Sequence, residues 1–378
     1  MRRLAAAVGE PITAIDTPAL IVDLDALERN HERLLTSLSG LPVVLRPHAK
    51  SHKCPEIARW QMAHGAVGIC CQKVSEAIAF ADAGISDILV SNQVIGAKKI
   101  QDLCHLARRV RVGVCVDDLS NVKDLSATAQ AMGVTVEVMV EIDVGAHRCG
   151  VAPGADALTM AKAIAEAPGL VFRGLQAYQG AAQHMRSQTE REAAVGRAID
   201  LARMTRDMIV ASGIPCPVIA GGGTGSYLIE AKSGVYTELQ VGSYIFMDAD
   251  YGRNDWPVNG MPAFEQSLFV LTTVMSRAVP GQLVVDAGLK ASSVDSGMPL
   301  VADHPELRYV RASDEHGVIQ YDRTHDQSLS IEAVRLGQKL RLVPGHCDPT
   351  VNLYDQLIGL KDNVVHRILP VSARGALL

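Results

Sequence analysis

The chain has 378 residues, 48% of them hydrophobic, and its 41 acidic and 36 basic side chains leave a formal net charge of −5. Single cores rarely grow past roughly 250–300 residues, so two domains are expected. Without a general basic surface, nucleic acid and anionic membrane are excluded as expected partners, and small molecules remain. The N-terminal Met1-Arg-Arg-Leu-Ala-Ala-Ala-Val-Gly-Glu10 has too short an apolar stretch for a secretory signal. No apolar run approaches the ~18 residues of a membrane span, and a cytoplasmic location follows as the expectation. The eight cysteines (Cys54, Cys70, Cys71, Cys104, Cys115, Cys149, Cys216 and Cys347) lie scattered in apolar segments without CxxC pairs. They read as reduced thiols, most of them filling the core.

From Leu41 onward short apolar runs alternate with longer amphipathic ones. Strands are expected at 42–50, 68–73, 87–92, 111–117, 135–143, 170–178, 216–222 and 237–247. Helices are expected from Pro55 to His64, Ser75 to Ala83, Lys98 to Arg108, Asn121 to Met132, Asp156 to Glu166 and Arg191 to Ser212. Eight such units imply an α/β fold with a (β/α)8 TIM-like barrel, and the first βα turn lacks the GxGxxG run of a dinucleotide fold. Polar residues at the C-terminal strand ends are then functional candidates: Lys50, Gln72, Asn92, Asp117, Asp143 and Tyr178, with Gly221. After Trp256-Pro257 the pattern turns β-like at Gln266 to Met275, Gln282 to Asp286, Leu307 to Arg311, Lys339 to Val343, Gln356 to Leu360 and Val364 to Val371. The expected domains are a barrel over 24–255 and a β-rich domain made of 1–23 and 256–378.

Three segments carry chemistry. Lys50 ends the apolar run Leu41-Pro-Val-Val-Leu-Arg-Pro-His-Ala-Lys50, where half-desolvation favours a neutral amine able to hold a carbonyl cofactor as an imine. Gly221-Gly-Gly-Thr-Gly-Ser226 follows the seventh strand, a position where barrels bind phosphate, and its glycines let backbone N–H groups curl round an anion. Gly145-Ala-His-Arg148-Cys-Gly150 sets a guanidinium in a glycine-flanked loop, suited to a phenolate-like oxygen or a carboxylate, or to solvent.

Together, Pro47-His-Ala-Lys50, the Gly145 to Gly150 loop and the Gly221 to Ser226 run resemble the alanine racemase-type, fold type III enzymes that use pyridoxal 5′-phosphate. The likeness narrows with Cys70-Cys-Gln-Lys-Val-Ser-Glu76, Gln176-Ala-Tyr178, Phe246-Met-Asp-Ala-Asp-Tyr-Gly252, Val285-Asp-Ala-Gly-Leu-Lys290 and Pro344-Gly-His-Cys-Asp-Pro-Thr350. These are similar to D-threonine aldolases and 3-hydroxy-D-aspartate aldolases, over nearly the whole chain. The resemblance implies an alanine racemase-like second, β-rich C-terminal domain and Lys50 as the imine lysine. It also implies phosphate contacts from Thr224, Gly242 and Ser243, cofactor contacts from Gln72, Arg148 and Tyr251, and a homodimer; Gly223, Gly225 and Ser226 of the glycine run and Tyr178 at its strand end complete the cofactor-binding candidates.

If the run Leu340 to Val343 continues as a strand, His346 and Asp348 point to one face and Cys347 to the other, and the pair can share a divalent cation. The related D-serine dehydratase-like enzymes carry histidine and cysteine two apart and favour zinc, whereas imidazole with carboxylate suits Mg²⁺ or Mn²⁺. The implied reaction is a retro-aldol cleavage of a D-3-hydroxy-amino acid to glycine and an aldehyde, with His184 or His52 as the base. A metal-dependent dehydratase giving keto acid and ammonia is the alternative, and a non-catalytic pyridoxal-phosphate carrier a further one. Arg253 is either a partner for a substrate side-chain carboxylate or a surface residue.

Overall fold

In the computed structural model, residues 5–256, 264–321 and 334–378 are described; Met1 to Leu4 of the N-terminal reading and Pro257 of the expected domain boundary lie outside them. After β1 (Ala19–Asp23) come eight barrel strands: β2 (Val44–Leu45), β3 (Ile69–Cys71), β4 (Asp87–Gln93), β5 (Arg111–Val116), β6 (Val136–Glu141), β7 (Leu170–Gln176), β8 (Val218–Gly221) and β9 (Glu238–Leu239). From β3 to β9 each strand pairs parallel with its successor in the chain, and β9 pairs with β2. Bridges from Leu45 to Ala66 and from His48 to Cys70 close the ring. The expected (β/α)8 architecture is therefore borne out.

Runs such as Val-Gly-Val-Cys-Val on β5 are buried on both faces, as a helix-covered parallel sheet requires. Inside, Cys70, Leu89, Cys115, Met139 and Ala220 from five strands form one apolar cluster. At the N-terminal end, Arg46 is buried between Asp87 at 2.7 Å and Glu238 at 3.0 Å, and Arg173 pairs with Glu137 and Glu238. That end is closed by charge pairs, which leaves the C-terminal strand ends for chemistry. The expected helices all form, with ends within three residues of the sequence reading. The first and last expected strands shrink to two residues each. Pro47 has no N–H for the ladder, so the chain leaves β2 early and turns through the 3₁₀ segment Ala49–Ser51.

The second unit contains β1, β10 (Leu268–Ser276), β11 (Gln282–Val285), β12 (Leu300–Val301), β13 (Leu307–Ala312), β14 (Gly317–Tyr321), β15 (Lys339–Val343), β16 (Gln356–Lys361) and β17 (Val364–Pro370). The strand order is β11-β14-β13-β12-β15-β10-β1-β16-β17, and a β10–β11 pairing closes the first six into an antiparallel barrel. β1 joins antiparallel to β10 and parallel to β16, packing Ile21 with Phe269, Leu271, Ile358 and Leu360.

The two compact units are Leu34–Gly242 with 254–256 and Gly375–Leu378, and 5–33 with Ser243–Arg253 and 264–374. Residues 24–33 and Ser243–Arg253, assigned to the barrel by the sequence reading, group with the β-rich unit. All eight cysteines are free thiols, seven of them buried. Among the described residues no helix is long and apolar enough to cross a membrane.

Candidate active site

Lys50 lies in the 3₁₀ turn Ala49–Ser51 just past β2, partly buried, and donates its backbone N–H to His48 Nδ1 at 3.3 Å. The other ring nitrogen of His48, Nε2, lies 2.9 Å from Gln72 Nε2 and 3.2 Å from Ser91 Oγ. The turn is thus fastened to the ends of β3 and β4. Lys53, three residues on, is buried in an ion pair with Glu76, which also accepts the Gln72 N–H at 2.8 Å. His52 is buried, its Nδ1 accepting the Cys54 N–H at 3.1 Å and its ring edge-on to Phe80.

The glycine run leaves β8 at Gly221, where a Cβ would stand 2.7 Å from the Tyr236 ring and 2.8 Å from Ala177 O. At Gly223 a Cβ would collide with the Gln183 carboxamide. Gln183 reaches over this loop: its Oε1 accepts the Gly225 N–H at 2.8 Å and its Nε2 donates to Ser226 Oγ at 2.8 Å. The Ser226 hydroxyl donates to Glu230 Oε1 at 3.0 Å. Burial pushes the Glu230 carboxyl up to about 7, with the Ser226 bond working against it. Thr224 is 1% exposed, and its Oγ1 has no hydrogen-bond partner among the described residues. Leaving such a group unmet costs about 1–3 kcal/mol, so the loop is built for an acceptor such as a phosphate oxygen. The Gln240 N–H donates to Gly221 O at 2.8 Å and the His48 N–H to Val241 O at 3.1 Å, which connects the glycine loop to the lysine turn along one rim. Gly242 continues that rim, where a Cβ would come within 3.2 Å of His48 O.

In the third loop, Asp143 Oδ1 accepts the N–H groups of Gly145 at 2.9 Å and His147 at 3.0 Å. Partial burial would raise its pKa, yet these bonds hold the carboxyl below the usual range. Gly150 has φ +104°, and a Cβ there would lie 2.6 Å from Asp143 N, so the return to the barrel needs glycine. Its N–H donates to Asp117 Oδ2 at 2.9 Å, while Gln93 Nε2 spans Asp117 at 3.2 Å and Glu141 at 2.6 Å. Glu141 is pushed up by burial, against the pull of Gln93 and of Arg148. Arg148 itself is exposed on the loop. Tyr178 follows β7, partly buried beside Gly180. His184 ends the 3₁₀ turn Ala181–His184 with its side chain exposed.

The expected metal pair lies in the β-rich unit. β15 stops at Val343, and His346 instead caps the short helix Cys347–Val351, so strand alternation is not what aligns positions 346 and 348. The helix start does so. His346 Nε2 lies 3.8 Å from Asp348 Oδ2, a spacing that bonds of about 2.1 Å to one shared ion can bridge. On the other ring nitrogen, Nδ1 lies 2.8 Å from Asp248 Oδ2, and Asp248 also accepts the N–H groups of Cys347 and Tyr251, each at 2.9 Å. Asp248, His346 and Cys347 also bring one ligand atom each within 4.8 Å of one another. That trio is the poorer donor set, because Asp248 is committed to these three N–H groups, and burial pushes the Cys347 thiol well above its ordinary pKa. Ser243 bonds the Cys347 thiol, and Tyr251 is buried on the Asp248 segment, so both lie in this unit while the other cofactor candidates lie in the barrel. Asp248, Gln183 and Glu230 were not singled out from the sequence. Glu230 follows Ser226 by four residues, the one local signal for that pair.

Residues 22–250 match the model of the alanine racemase N-terminal domain, and 267–360 that of a putative serine dehydratase domain. The chain is 47% identical over 367 residues to a D-threonine aldolase from Arthrobacter sp., covering 97% of this chain and 95% of that protein. It is 47% identical over 372 residues to a 3-hydroxy-D-aspartate aldolase from Paracoccus denitrificans (strain Pd 1222), covering 97% and 94%. The crystal structure of D-threonine aldolase from Filomicrobium marinum matches with a TM-score of 0.96 at 48% identity, covering 99% of this chain and 100% of that one. A D-threo-3-hydroxyaspartate dehydratase from Delftia sp. (strain HT23) stands further off at 29% identity, covering 90% and 93%. The family implies a pyridoxal phosphate cofactor and a metal ion, and the buried hydroxyl of Thr224 and the His346–Asp348 donors fit them. The chain belongs to the family of D-threonine aldolases and 3-hydroxy-D-aspartate aldolases, carbon–carbon lyases with an alanine racemase-like fold.

Proposed function

We propose that this enzyme cleaves D-3-hydroxy-amino acids, D-threonine and 3-hydroxy-D-aspartate among them, to glycine plus acetaldehyde or glyoxylate. Pyridoxal 5′-phosphate in the barrel and Mn²⁺ or Mg²⁺ on His346 and Asp348 complete it. The observation that carries this reading is the donor pair itself: an imidazole nitrogen and a carboxylate oxygen 3.8 Å apart. A carboxylate where a thiolate would favour zinc shifts the preference toward the harder Mn²⁺ and Mg²⁺.

When bound, the pyridine ring takes up the electron pair released from carbon, and the cation lowers the pKa of the substrate hydroxyl. The rest falls to the chain. Lys50 is the attachment point, presented by a turn that His48 fastens. Thr224 Oγ1, with Gly223, Gly225, Ser226 and Gly242, holds the phosphate; Gln72, Arg148 and Tyr178 border the ring. His184 accepts the hydroxyl proton from its exposed position. His52, inside the core with Nδ1 committed to Cys54, does not suit that task. Asp248 holds His346 by Nδ1 and turns Nε2 toward Asp348, the other proposed ligand. A homodimer belongs to the proposal through the family resemblance, and a cytoplasmic location through the eight unpaired cysteines.

The test is kcat/KM for D-threonine and for 3-hydroxy-D-aspartate before EDTA treatment, after it, and after Mn²⁺ is returned. Loss and recovery on both substrates is expected, and turnover indifferent to EDTA would refute the metal's role.

A further inference from the structure

Behind the glycine loop stands a carboxyl group to which the proposed reaction gives no task. Glu230, on the helix Tyr227–Lys232, is 1% exposed; its Oε1 accepts the Ser226 hydroxyl at 3.0 Å, and its Oε2 has no hydrogen-bond partner among the described residues. Ser226 Oγ also receives Gln183 Nε2–H at 2.8 Å and the Gly223 N–H at 3.4 Å. A hydroxyl has one hydrogen and two lone pairs. Both lone pairs face donors, so the single hydrogen is committed to Glu230 and none is left for a phosphate. An ionised carboxylate at that point would also repel a dianion through a medium of low dielectric.

Resting on the reading of this loop as the phosphate cup, we propose that Glu230 takes up one proton from solvent when a phosphate monoester dianion seats on Gly223 to Ser226. The new Glu230 O–H donates to Ser226 Oγ in place of the long Gly223 N–H bond, and the freed Gly223 N–H and the Ser226 hydrogen both turn to the phosphate. Only one O–H bond is made, on Glu230, and it is lost to solvent when the ligand leaves. Glu230 would be a positioning residue, acting on the phosphate through Ser226.

Two observations favour the exchange. Burial has already moved the Glu230 carboxyl up to about 7, so the proton is readily taken up near neutrality. The titratable neighbour coupled to it is Tyr236, pushed well above its ordinary value by burial and by Glu230, with its O–H donated to Ala177 O at 2.7 Å. Tyr236 therefore stays neutral. Gln183, facing Ser226 from the turn Ala181–His184, carries no charge.

The probe is pyridoxine 5′-phosphate, which has the phosphate but no aldehyde and so cannot join Lys50. It is titrated calorimetrically into the full-length cofactor-free protein in two buffers of different ionisation enthalpy. Above about pH 7 the ester is already largely a dianion, its second pKa being about 6. From there upward, wild-type affinity should fall by up to about tenfold per pH unit, with close to one proton taken up on binding. Glu230→Gln should bind with little pH dependence and no such uptake; Ser226→Ala, which keeps the carboxyl but cuts its link, should keep only the smaller pH dependence that direct repulsion supplies. Wild-type pH dependence and proton uptake persisting in Glu230→Gln would overturn the role of Glu230 while leaving the phosphate cup intact. Pyridoxine 5′-phosphate binding no tighter than pyridoxine would overturn the cup, and the proposal with it.

Discussion

His346 Nδ1 and Asp248 Oδ2 stand 2.8 Å apart, and this contact decides which nitrogen of the imidazole is left for a metal. A histidine that donates Nδ1–H to a carboxylate keeps Nε2 as its basic nitrogen, and here Nε2 is the atom 3.8 Å from Asp348 Oδ2. Asp248→Ala should lower Mn²⁺ affinity by about 10- to 100-fold, the usual range for removing such a support. Metal titration followed by paramagnetic resonance reads this, and unchanged affinity would contradict it.

The identity of the second donor sets the metal preference. Asp348→Ala should abolish Mn²⁺-dependent turnover, and Asp348→Cys should shift competition between Mn²⁺ and Zn²⁺ toward Zn²⁺, since thiolate is the softer ligand. Equilibrium competition with both metals present measures the shift. A variant that still prefers Mn²⁺ would show that position 348 is not a ligand.

Lys50 and Lys53 lie on one loop but have separate tasks. Lys50→Ala should give no borohydride-fixed cofactor adduct by mass spectrometry, while Lys53→Ala should still give one. Lys53→Ala instead strands Glu76 in the core and should cost roughly 3–5 kcal/mol of unfolding free energy, the range for breaking a buried pair. An adduct in Lys50→Ala, or Lys53→Ala as stable as wild type, would count against this division.

Much of the barrel site was legible because its groups are local. Lys50 beside a strand end, and glycines in an unbroken run after another, are patterns a sequence displays directly. The fold class was equally plain, since eight apolar runs alternate with amphipathic ones. What escaped is non-local. Asp248 meets His346 across 98 positions and Gln183 meets Ser226 across 43, contacts that no periodicity encodes. The spacing of His346 and Asp348 was noticed for a strand that is not there: the chain turns into a helix at Cys347, and the two side chains still converge. β12, with two residues, and β14, with five, passed unnoticed because such short runs carry little pattern.

Glu230 should make stability pH-dependent in the cofactor-free protein. Its folded carboxyl is pushed by burial from an ordinary 4.5 up to about 7, so between those values the folded chain binds more protons than the unfolded one. Its contribution is full at the acid end of that window and is lost as pH rises through about 7, amounting to at most about 3 kcal/mol. Urea unfolding of wild type and Glu230→Gln at the two ends of the window measures it. The variant should lose this share of the pH dependence, and parallel stability profiles would contradict the account.

The central claim is that a carbon–carbon bond breaks, and product analysis of Mn²⁺-loaded enzyme acting on 3-hydroxy-D-aspartate tests it most directly. The account predicts glycine and glyoxylate in equal amounts, without ammonia; a keto acid with one equivalent of ammonia would contradict it.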